Sequence, residues 1–129
     1  MYLLDTNVCL DFAFARSATL RSRIRAQNGR DMGISSITLA ELRFGAQRPE
    51  ADAADEARVD IFVSILRVHD FDRAAAERYG QFAAFSPVRR GSFDRLLAAH
   101  ALALGHVLVT NNTRDFADIP GLIVENWTQ

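Results

Sequence analysis

Acidic side chains stand beside the ends of several short apolar segments of this chain. Asp5 directly follows such a segment, Glu41 and Asp94 come early in two amphipathic segments, and Asp115 follows another apolar segment together with Asn112. Clustered carboxylates repel one another unless a divalent cation neutralises them. A site built from oxygen ligands favours Mg²⁺ or Mn²⁺, which can activate a water for attack on phosphorus. The sequence therefore indicates metal-dependent phosphoryl chemistry.

Each of these residues also has a purely local interpretation. Asp5 could cap the helix that follows it, because Asp accepts hydrogen bonds from free backbone N–H groups. Thr38 and Glu41 fit the S/T-x-x-E capping box. Asp94 could complement a helix dipole, and the segment "TNNTRD" could simply form a turn. A set of caps does not require that these acids share one edge of the fold, whereas a metal site does.

The elements that would position the acids follow from an alternation of short apolar runs and longer stretches of helical period. This pattern is typical of an α/β fold with a parallel sheet covered by helices, and 129 residues fit one domain. Strand ends and helix starts then meet at one edge, where such folds bind ligands. The predicted strands are Tyr2–Leu4, "MGISSI", "LRVHDF", "HVLVTNN" and "LIVEN".

Helical periods fill the intervals between these strands. One helix is predicted from about Val8 to Arg25 with a break near Ser17, and another starts at Thr38. Further helices are predicted in the stretch after Pro49, in "DRAAAERYGQFAAF", which must stop before Pro87, and in "FDRLLAAHALALG", with Gly105 at its C-cap.

Composition excludes several other chemistries. All fifteen basic residues are Arg, so the chain lacks the Lys of a P-loop or a Schiff-base enzyme. Cys9 is the only cysteine, which excludes a disulfide framework and a thiolate zinc site. His69, His100 and His106 are far apart in sequence and lack paired metal-ligand spacing, and we expect His100 to pack in its helix rather than act as a base.

The N-terminus does not have the pattern of a signal peptide, and no apolar stretch reaches the roughly 20 residues that span a bilayer. The net charge of −1 gives no indication of bulk attraction to nucleic acid or membrane. We therefore expect a cytoplasmic protein without membrane association.

Five motifs, spread over essentially the whole chain, resemble one known family in order and spacing. They are "LLDTNV", "SSITLAELRFG", "FDRLLAAHALALG", "LVTNNTRDF" and "IPGLIVENW". The sequence resembles the PIN-domain ribonucleases of the VapC toxin type. The resemblance implies an α/β/α sandwich, RNA cleavage that depends on Mg²⁺ or Mn²⁺, and the toxin role in a bacterial toxin–antitoxin pair.

The same resemblance assigns roles to residues. Asp5, Glu41 and Asp94 match the family's three acids, which bind the metal and carry catalysis. The fourth acidic position aligns with Asn112, which departs from the acidic form, while Asp115 lies three residues further on, so either residue could complete the site. The polar residues expected to orient the ligands and their waters are Thr6, Asn7 and Thr110.

For partners, the resemblance implies a homodimer and a VapB-type antitoxin, assembled as a heterotetramer or larger, with the antitoxin groove at "LRFGAQRPE" and the helices after it. The RNA would be a tRNA or a ribosomal RNA, and the motifs most resemble the subgroup that acts on initiator tRNA. Arg89 and Arg90 could contact RNA phosphates or simply be solvated. The alternative is a PIN-like module that binds RNA or a partner without cutting it.

Overall fold

The sheet is the central layer of the fold. The computed structural model describes residues 1–14, 16–84 and 93–129, so the interpretations of Pro87, Arg89 and Arg90 lie outside the described residues. Five parallel strands form one sheet in the order β3-β2-β1-β4-β5. They are β1 Tyr2–Leu4, β2 Met32–Ser35, β3 Arg67–His69, β4 Val107–Val109 and β5 Val124–Glu125. This is the predicted parallel sheet, with each strand near its predicted position.

Helices cover both faces of this sheet, as predicted for an α/β/α sandwich. The described helices are α1 Thr6–Ala13, α2 Ala18–Arg25, α3 Ser36–Ala46, α4 Asp55–Ser64, α5 Arg73–Gln81 and α6 Phe93–Leu104. Short 3-10 segments lie at Gly29–Asp31, Phe82–Ala84 and Thr113–Phe116. The predicted break near Ser17 is confirmed, because the Ser17 hydroxyl accepts a hydrogen bond from the Leu20 N–H at the start of α2.

Alternation along the central strands divides the core into two layers. Leu4 and Val109 pack with apolar residues of α1 to α4 on one face, whereas Leu3 and Leu108 pack with α6 on the other. All four side chains are fully buried, and such burial stabilises the fold by about 1.5–3 kcal/mol per side chain. The period of two in β1 and β4 therefore fixes both helical layers.

The end of α6 sets the position of β4. Gly105 has a φ of +70°, its N–H donates to the carbonyl of Leu102, and the His106 N–H donates to the carbonyl of Ala101. This is a Schellman motif, which requires the left-handed conformation that glycine adopts without steric cost. The prediction of Gly105 as the C-terminal glycine of this helix is confirmed. None of the helices in the described parts of the chain is long and apolar enough to cross a membrane.

Candidate active site

Asp5 is both a helix cap and a buried acid at the carboxyl edge of the sheet. Its Oδ1 accepts a hydrogen bond of 2.8 Å from the Val8 N–H, and its own N–H donates to the carbonyl of Val109 at 3.0 Å. The capping interpretation is thus confirmed. Only 3% of the residue is exposed. Because capping occupies one carboxylate oxygen, the other remains available for further interactions.

Thr110 supports Asp5 from the neighbouring strand. The Thr110 side chain is fully buried directly after β4, and its hydroxyl hydrogen-bonds the Asp5 carboxylate and lowers its pKa. The same hydroxyl oxygen accepts a hydrogen bond of 3.0 Å from the Asn112 N–H. Thr110 therefore connects β1 to the turn after β4.

The ionised form of Asp5 is energetically unfavourable in this position. The pKa of Asp5 is raised from 3.8 to about 6: burial is the largest cause, the negative charges of Asp94 and Asp11 add to it, and the hydrogen bonds from Thr110 and Val8 oppose it. A raised carboxylate pKa means that the folded protein pays for this charge at neutral pH. Such an arrangement is typical of a functional site rather than of a simple cap.

Glu41 is held by α1 rather than by its own helix start. α3 begins at Ser36 and is capped by Ser35, whose hydroxyl accepts a hydrogen bond from the Ile37 N–H. The capping-box interpretation of Thr38 and Glu41 is therefore wrong, because Thr38 lies inside the helix and Glu41 in its second turn. Glu41 Oε1 instead accepts a hydrogen bond of 2.7 Å from the Thr6 hydroxyl, which also lies 3.2 Å from the Thr38 hydroxyl.

Asp94 joins these two acids electrostatically. It is the second residue of α6 and is half-buried, so it also lies where a helix dipole favours a negative charge. Its charge raises the pKa of Asp5 and, after the larger effect of burial, also that of Glu41. The fold thus brings Asp5, Glu41 and Asp94 to one region from positions far apart in the sequence.

The two candidates for the fourth position contact each other. The Asn112 side-chain amide donates a hydrogen bond to Oδ2 of Asp115, within the turn after β4. Asn112 caps no backbone N–H with its side chain and is exposed, whereas Asp115 is half-buried. Asn112 is connected to the acids by the hydrogen bond from its N–H to the Thr110 hydroxyl, and Asp115 only through its hydrogen bond with Asn112. Asn7, at the start of α1, is exposed on the wall of the cavity described below.

One acid near the site was missed by the sequence analysis. Asp11 lies in α1, where Oδ2 accepts a hydrogen bond of 2.9 Å from the Asn111 side-chain amide and Oδ1 lies 3.4 Å from Arg16. Its charge contributes to the raised pKa of Asp5. The available signal was its spacing of four residues from Asn7, which puts the two side chains on one side of the same helix.

The histidines were expected to be unconnected, but the fold brings them together. The ring of His69 lies 5.3 Å from that of His106 and 6.3 Å from that of His100, which belongs to α6. Burial lowers the pKa of all three imidazoles. His100 is buried in its helix, as predicted. A Cβ on Gly33 would lie 2.6 Å from Nε2 of His69, so any larger residue at this position would require the His69 ring to move.

The donor set fits a hard divalent cation. Within residues 1–14, 16–84 and 93–129, no three side chains of the His, Cys, Asp or Glu types form a ready-made metal-binding group. Mg²⁺ does not need one, because it retains several waters and is commonly held by only one or two carboxylates. Asp5 and Asp94 supply oxygen donors whose mutual repulsion a cation would relieve. Burial raises the pKa of the nearby Cys9 thiol, which argues against a thiolate ligand.

A cavity of about 750 Å³ opens beside the acids. Thr6, Asn7 and Glu41 form the wall nearest the site, and apolar side chains from α1, α3 and α4 form most of the remaining wall. Phe93, next to Asp94 in sequence, also lines this cavity. The site therefore has an acidic region that continues into a largely apolar groove.

The fold and the acidic site define a class of nuclease, and the comparisons with known proteins agree. The model of the PIN domain family matches residues 2–122. The chain belongs to the PIN domain family. The tRNA(fMet)-specific endonucleases VapC of Shigella flexneri and Salmonella typhimurium are 39% and 40% identical to it, and each alignment covers 98% of this chain and at least 97% of the relative.

Solved structures show the same relationship. DNA-bound VapBC from Salmonella typhimurium matches with a TM-score of 0.87 and 39% identity, over 98% of this chain and 97% of that chain. VapBC2 from Rickettsia felis, bound to a promoter DNA fragment, matches with a TM-score of 0.86 and 33% identity, over 98% of both chains. The protein is accordingly a VapC-type endoribonuclease of the VapBC toxin–antitoxin kind, as the motifs predicted.

Proposed function

We propose that this ribonuclease hydrolyses a phosphodiester bond of structured RNA at the site formed by Asp5, Glu41 and Asp94, with Mg²⁺ or Mn²⁺ as cofactor. The observation that carries the proposal is the pKa of Asp5, raised to about 6 by burial and by the charges of Asp94 and Asp11. This accumulation of negative charge is unfavourable by itself and would be neutralised by a cation bound at the site. Asp5 and Asp94 would bind the ion directly, and Glu41 through a water.

The chain's own residues prepare this chemistry. The Thr110 hydroxyl favours the ionised form of Asp5, and the Thr6 hydroxyl does the same for Glu41. At pH 7 the Asp5 carboxylate is therefore mostly ionised despite its burial. A bound divalent ion would supply a nucleophilic water at neutral pH and would stabilise charge on the attacked phosphate. Asn112 or Asp115 would complete the polar edge near Thr110.

For the substrate, we propose a tRNA, with initiator tRNA as the first candidate. The support is the name of two relatives of nearly equal length, both tRNA(fMet)-specific endonucleases. Identity of 39% and 40% over these lengths makes a shared substrate class the simplest expectation. The reaction would then take place in the cytoplasm, where tRNA is found.

For partners, we propose a VapB-type antitoxin and a second copy of this chain, assembled as a heterotetramer or larger. The matched structures from Salmonella typhimurium and Rickettsia felis are VapBC complexes bound to DNA. The apolar groove beside the acids extends along α3 to Phe44 and on to Arg48 just beyond the helix, within the segment where the antitoxin groove was predicted. A partner segment in this groove would cover the way to Glu41.

The proposal is tested by brief expression of the protein, followed by sequencing of new RNA 5′ ends, beside an Asp5→Asn control. We expect cleavage at one or a few tRNA positions, loss with chelator, recovery with Mg²⁺ or Mn²⁺, and 5′-phosphate ends, because water is the nucleophile. Cleavage that survives chelation, or that leaves 2′,3′-cyclic phosphate, would refute the mechanism. RNA binding without any new ends would instead support the non-cleaving module.

A further inference from the structure

Exposed phenylalanines collect at a single place in the described structure. Phe14, Phe44 and Phe93 are exposed by 41%, 69% and 53%, and all three line the groove beside the acids. Single exposed apolar residues are ordinary, but several large ones on one surface indicate a binding site. Phe14 directly follows α1, Phe44 lies in α3 and Phe93 begins α6, so the fold rather than the local sequence brings the rings together.

Cations accompany two of the three rings. The guanidinium groups of Arg16 and Arg58 lie 5.4 Å and 5.8 Å from the centre of the Phe14 ring, and that of Arg48 lies 5.6 Å from the Phe44 ring. Of these arginines, Arg48 and Arg58 line the groove, and Arg58 also pairs with Asp55 at 2.6 Å. Aromatic rings combined with arginines are characteristic of sites for single-stranded nucleic acid, where bases stack and phosphates pair with the cations.

Of the three phenylalanines, Phe93 is the one closest in sequence to an acid of the site. It is the first residue of α6 and directly precedes Asp94, and it shares the groove wall with Glu41, Thr6 and Asn7. An unstacked base placed on this ring would keep its own phosphate within a nucleotide's length of the acids. An exposed aromatic side chain at this place can thus position the RNA without taking part in proton transfer.

We propose that Phe93 is a positioning residue that stacks on an unpaired nucleobase next to the scissile phosphate. This inference rests on the proposed RNA cleavage. It also implies that the substrate must present an unpaired base at the cut, since a base held in a helix cannot leave its stack without cost. Cleavage should therefore occur in a loop or a bulge of the RNA.

The first test compares substitutions at Phe93 in the full-length enzyme. Phe93→Tyr and Phe93→Trp keep an aromatic face and should retain the KM for a cleaved RNA stem-loop. Phe93→Leu keeps an apolar side chain without that face and should raise KM by roughly 10-fold or more, with a smaller effect on kcat. Ile61→Leu is the matched control, because Ile61 is 67% exposed on α4 and does not line the groove. Unchanged KM in Phe93→Leu would overturn the inference.

A second test removes the stacking partner from the RNA. An abasic nucleotide beside the scissile phosphate should weaken cleavage by the unmodified enzyme, but should cause little further loss with Phe93→Leu, because both changes remove the same contact. If the losses of cleavage from the abasic nucleotide and from Phe93→Leu multiply, the base and the Phe93 ring do not stack directly. If Phe93→Leu impairs only binding of the antitoxin while KM for RNA is unchanged, the ring belongs to a protein interface and the proposal is wrong.

Binding without cleavage separates this inference from the proposed function. In an Asp5→Asn background, Phe93→Trp introduces an exposed indole in addition to Trp127, the only native tryptophan, which is buried with an exposure of only 1%. Addition of the stem-loop should quench the new fluorescence, and the same RNA should leave Ile61→Trp unchanged. If the indole is quenched but the unmodified protein cuts no RNA, the proposed function is refuted and the stacking is not. If the unmodified protein cuts RNA but the indole is not quenched, the stacking is refuted and the proposed function is not.

Discussion

The hydroxyl of Thr6 lies 2.7 Å from Oε1 of Glu41 and connects the first turn of α1 to the second turn of α3. This hydrogen bond lowers the pKa of Glu41 against the effect of burial and of the Asp94 charge, which raise it. Thr6 therefore favours the ionised form of Glu41.

The first prediction follows from this bond. Thr6→Val removes the hydroxyl with little change of shape, so the pKa of Glu41 should rise and the acidic limb of the cleavage rate should move to higher pH. Thr6→Ser retains the hydroxyl and should keep the original profile. The measurement is kcat/KM from pH 5 to pH 8 for both variants. Coincident acidic limbs would show that the bond does not control the ionisation of Glu41.

The second prediction concerns the cost of the Asp5 charge. The pKa of Asp5 is about 6 in the folded protein, above the unfolded value of 3.8. The Asp5 charge therefore destabilises the fold most above pH 6, and this destabilisation disappears as the pH falls towards 4. Asp5→Asn retains a capping side chain without the charge. At pH 8 without metal, we expect the free energy of unfolding of Asp5→Asn to exceed that of the unmodified protein by on the order of 2 kcal/mol. At pH 4 the two free energies of unfolding should be nearly equal.

Asp118→Asn provides the matched control for that measurement. The Asp118 carboxylate pairs with Arg95 at 3.0 Å, and this hydrogen bond lowers its pKa. Its removal should leave stability at pH 8 unchanged or slightly lower, since Asp118 is an exposed residue. Equal stabilisation by both substitutions would attribute the effect to general charge rather than to the Asp5 site.

The third prediction is that Mg²⁺ stabilises the folded protein through these acids. A ligand that binds only the folded state raises the melting temperature by an amount that grows with the logarithm of its concentration above the Kd. Millimolar Mg²⁺ should raise the melting temperature of the unmodified protein and of Asp118→Asn, and should have little effect on Asp5→Asn or Asp94→Asn. The readout is thermal unfolding, and it requires no RNA. An equal rise in all four proteins would exclude binding at the acids.

The fourth prediction distinguishes Asn112 from Asp115. Their side chains are hydrogen-bonded to each other, so each alanine variant removes one partner. If Asp115 binds metal, Asp115→Ala should abolish cleavage with little change in melting. If it only orders the turn, unfolding free energy should fall by about 1 kcal/mol with activity retained. In this second case, Asn112→Ala should instead abolish cleavage with little change in melting. RNA cleavage and thermal melting are measured on the same samples.

The fifth prediction concerns acid sensitivity from the histidines. The pKa of His100 is lowered in the fold by burial and by His69, so the unfolded chain binds its proton first and stability falls as the pH drops below about 6.5. His100→Phe keeps a planar ring that does not titrate. We expect the loss of unfolding free energy between pH 7 and pH 5 to be smaller in this variant. An identical slope would mean that His100 does not titrate in this range.

Local patterns were sufficient to predict the sheet and its helices. The strands at Tyr2–Leu4 and Val107–Val109 are short apolar runs that end in polar residues, and Gly105 marks the end of α6. The convergence of Asp5, Glu41 and Asp94 followed from the rule that parallel strands end at one edge. Because that rule depends only on topology, it applied without any knowledge of side-chain contacts.

Contacts set by register and by competing caps could not be predicted in this way. Ser35 and Thr38 are both acceptable helix caps, and the end of β2 decides in favour of Ser35. The proximity of His69 to His106 depends on how β3 aligns with β2, and neither histidine has a local pattern that indicates the other. The link from Asp11 to Asn111 joins residues 100 positions apart.

The fit of His69 against Gly33 has a consequence for the paths by which this sequence can change. An alanine at position 33 would place its Cβ 2.6 Å from the His69 ring and 3.1 Å from the carbonyl oxygen of Arg67. Replacement of His69 by a smaller residue removes the first conflict and leaves only the second, which a small backbone shift can relieve. The order of substitution with the smaller steric conflict therefore changes position 69 first, because an alanine at position 33 beside the histidine requires the imidazole to move.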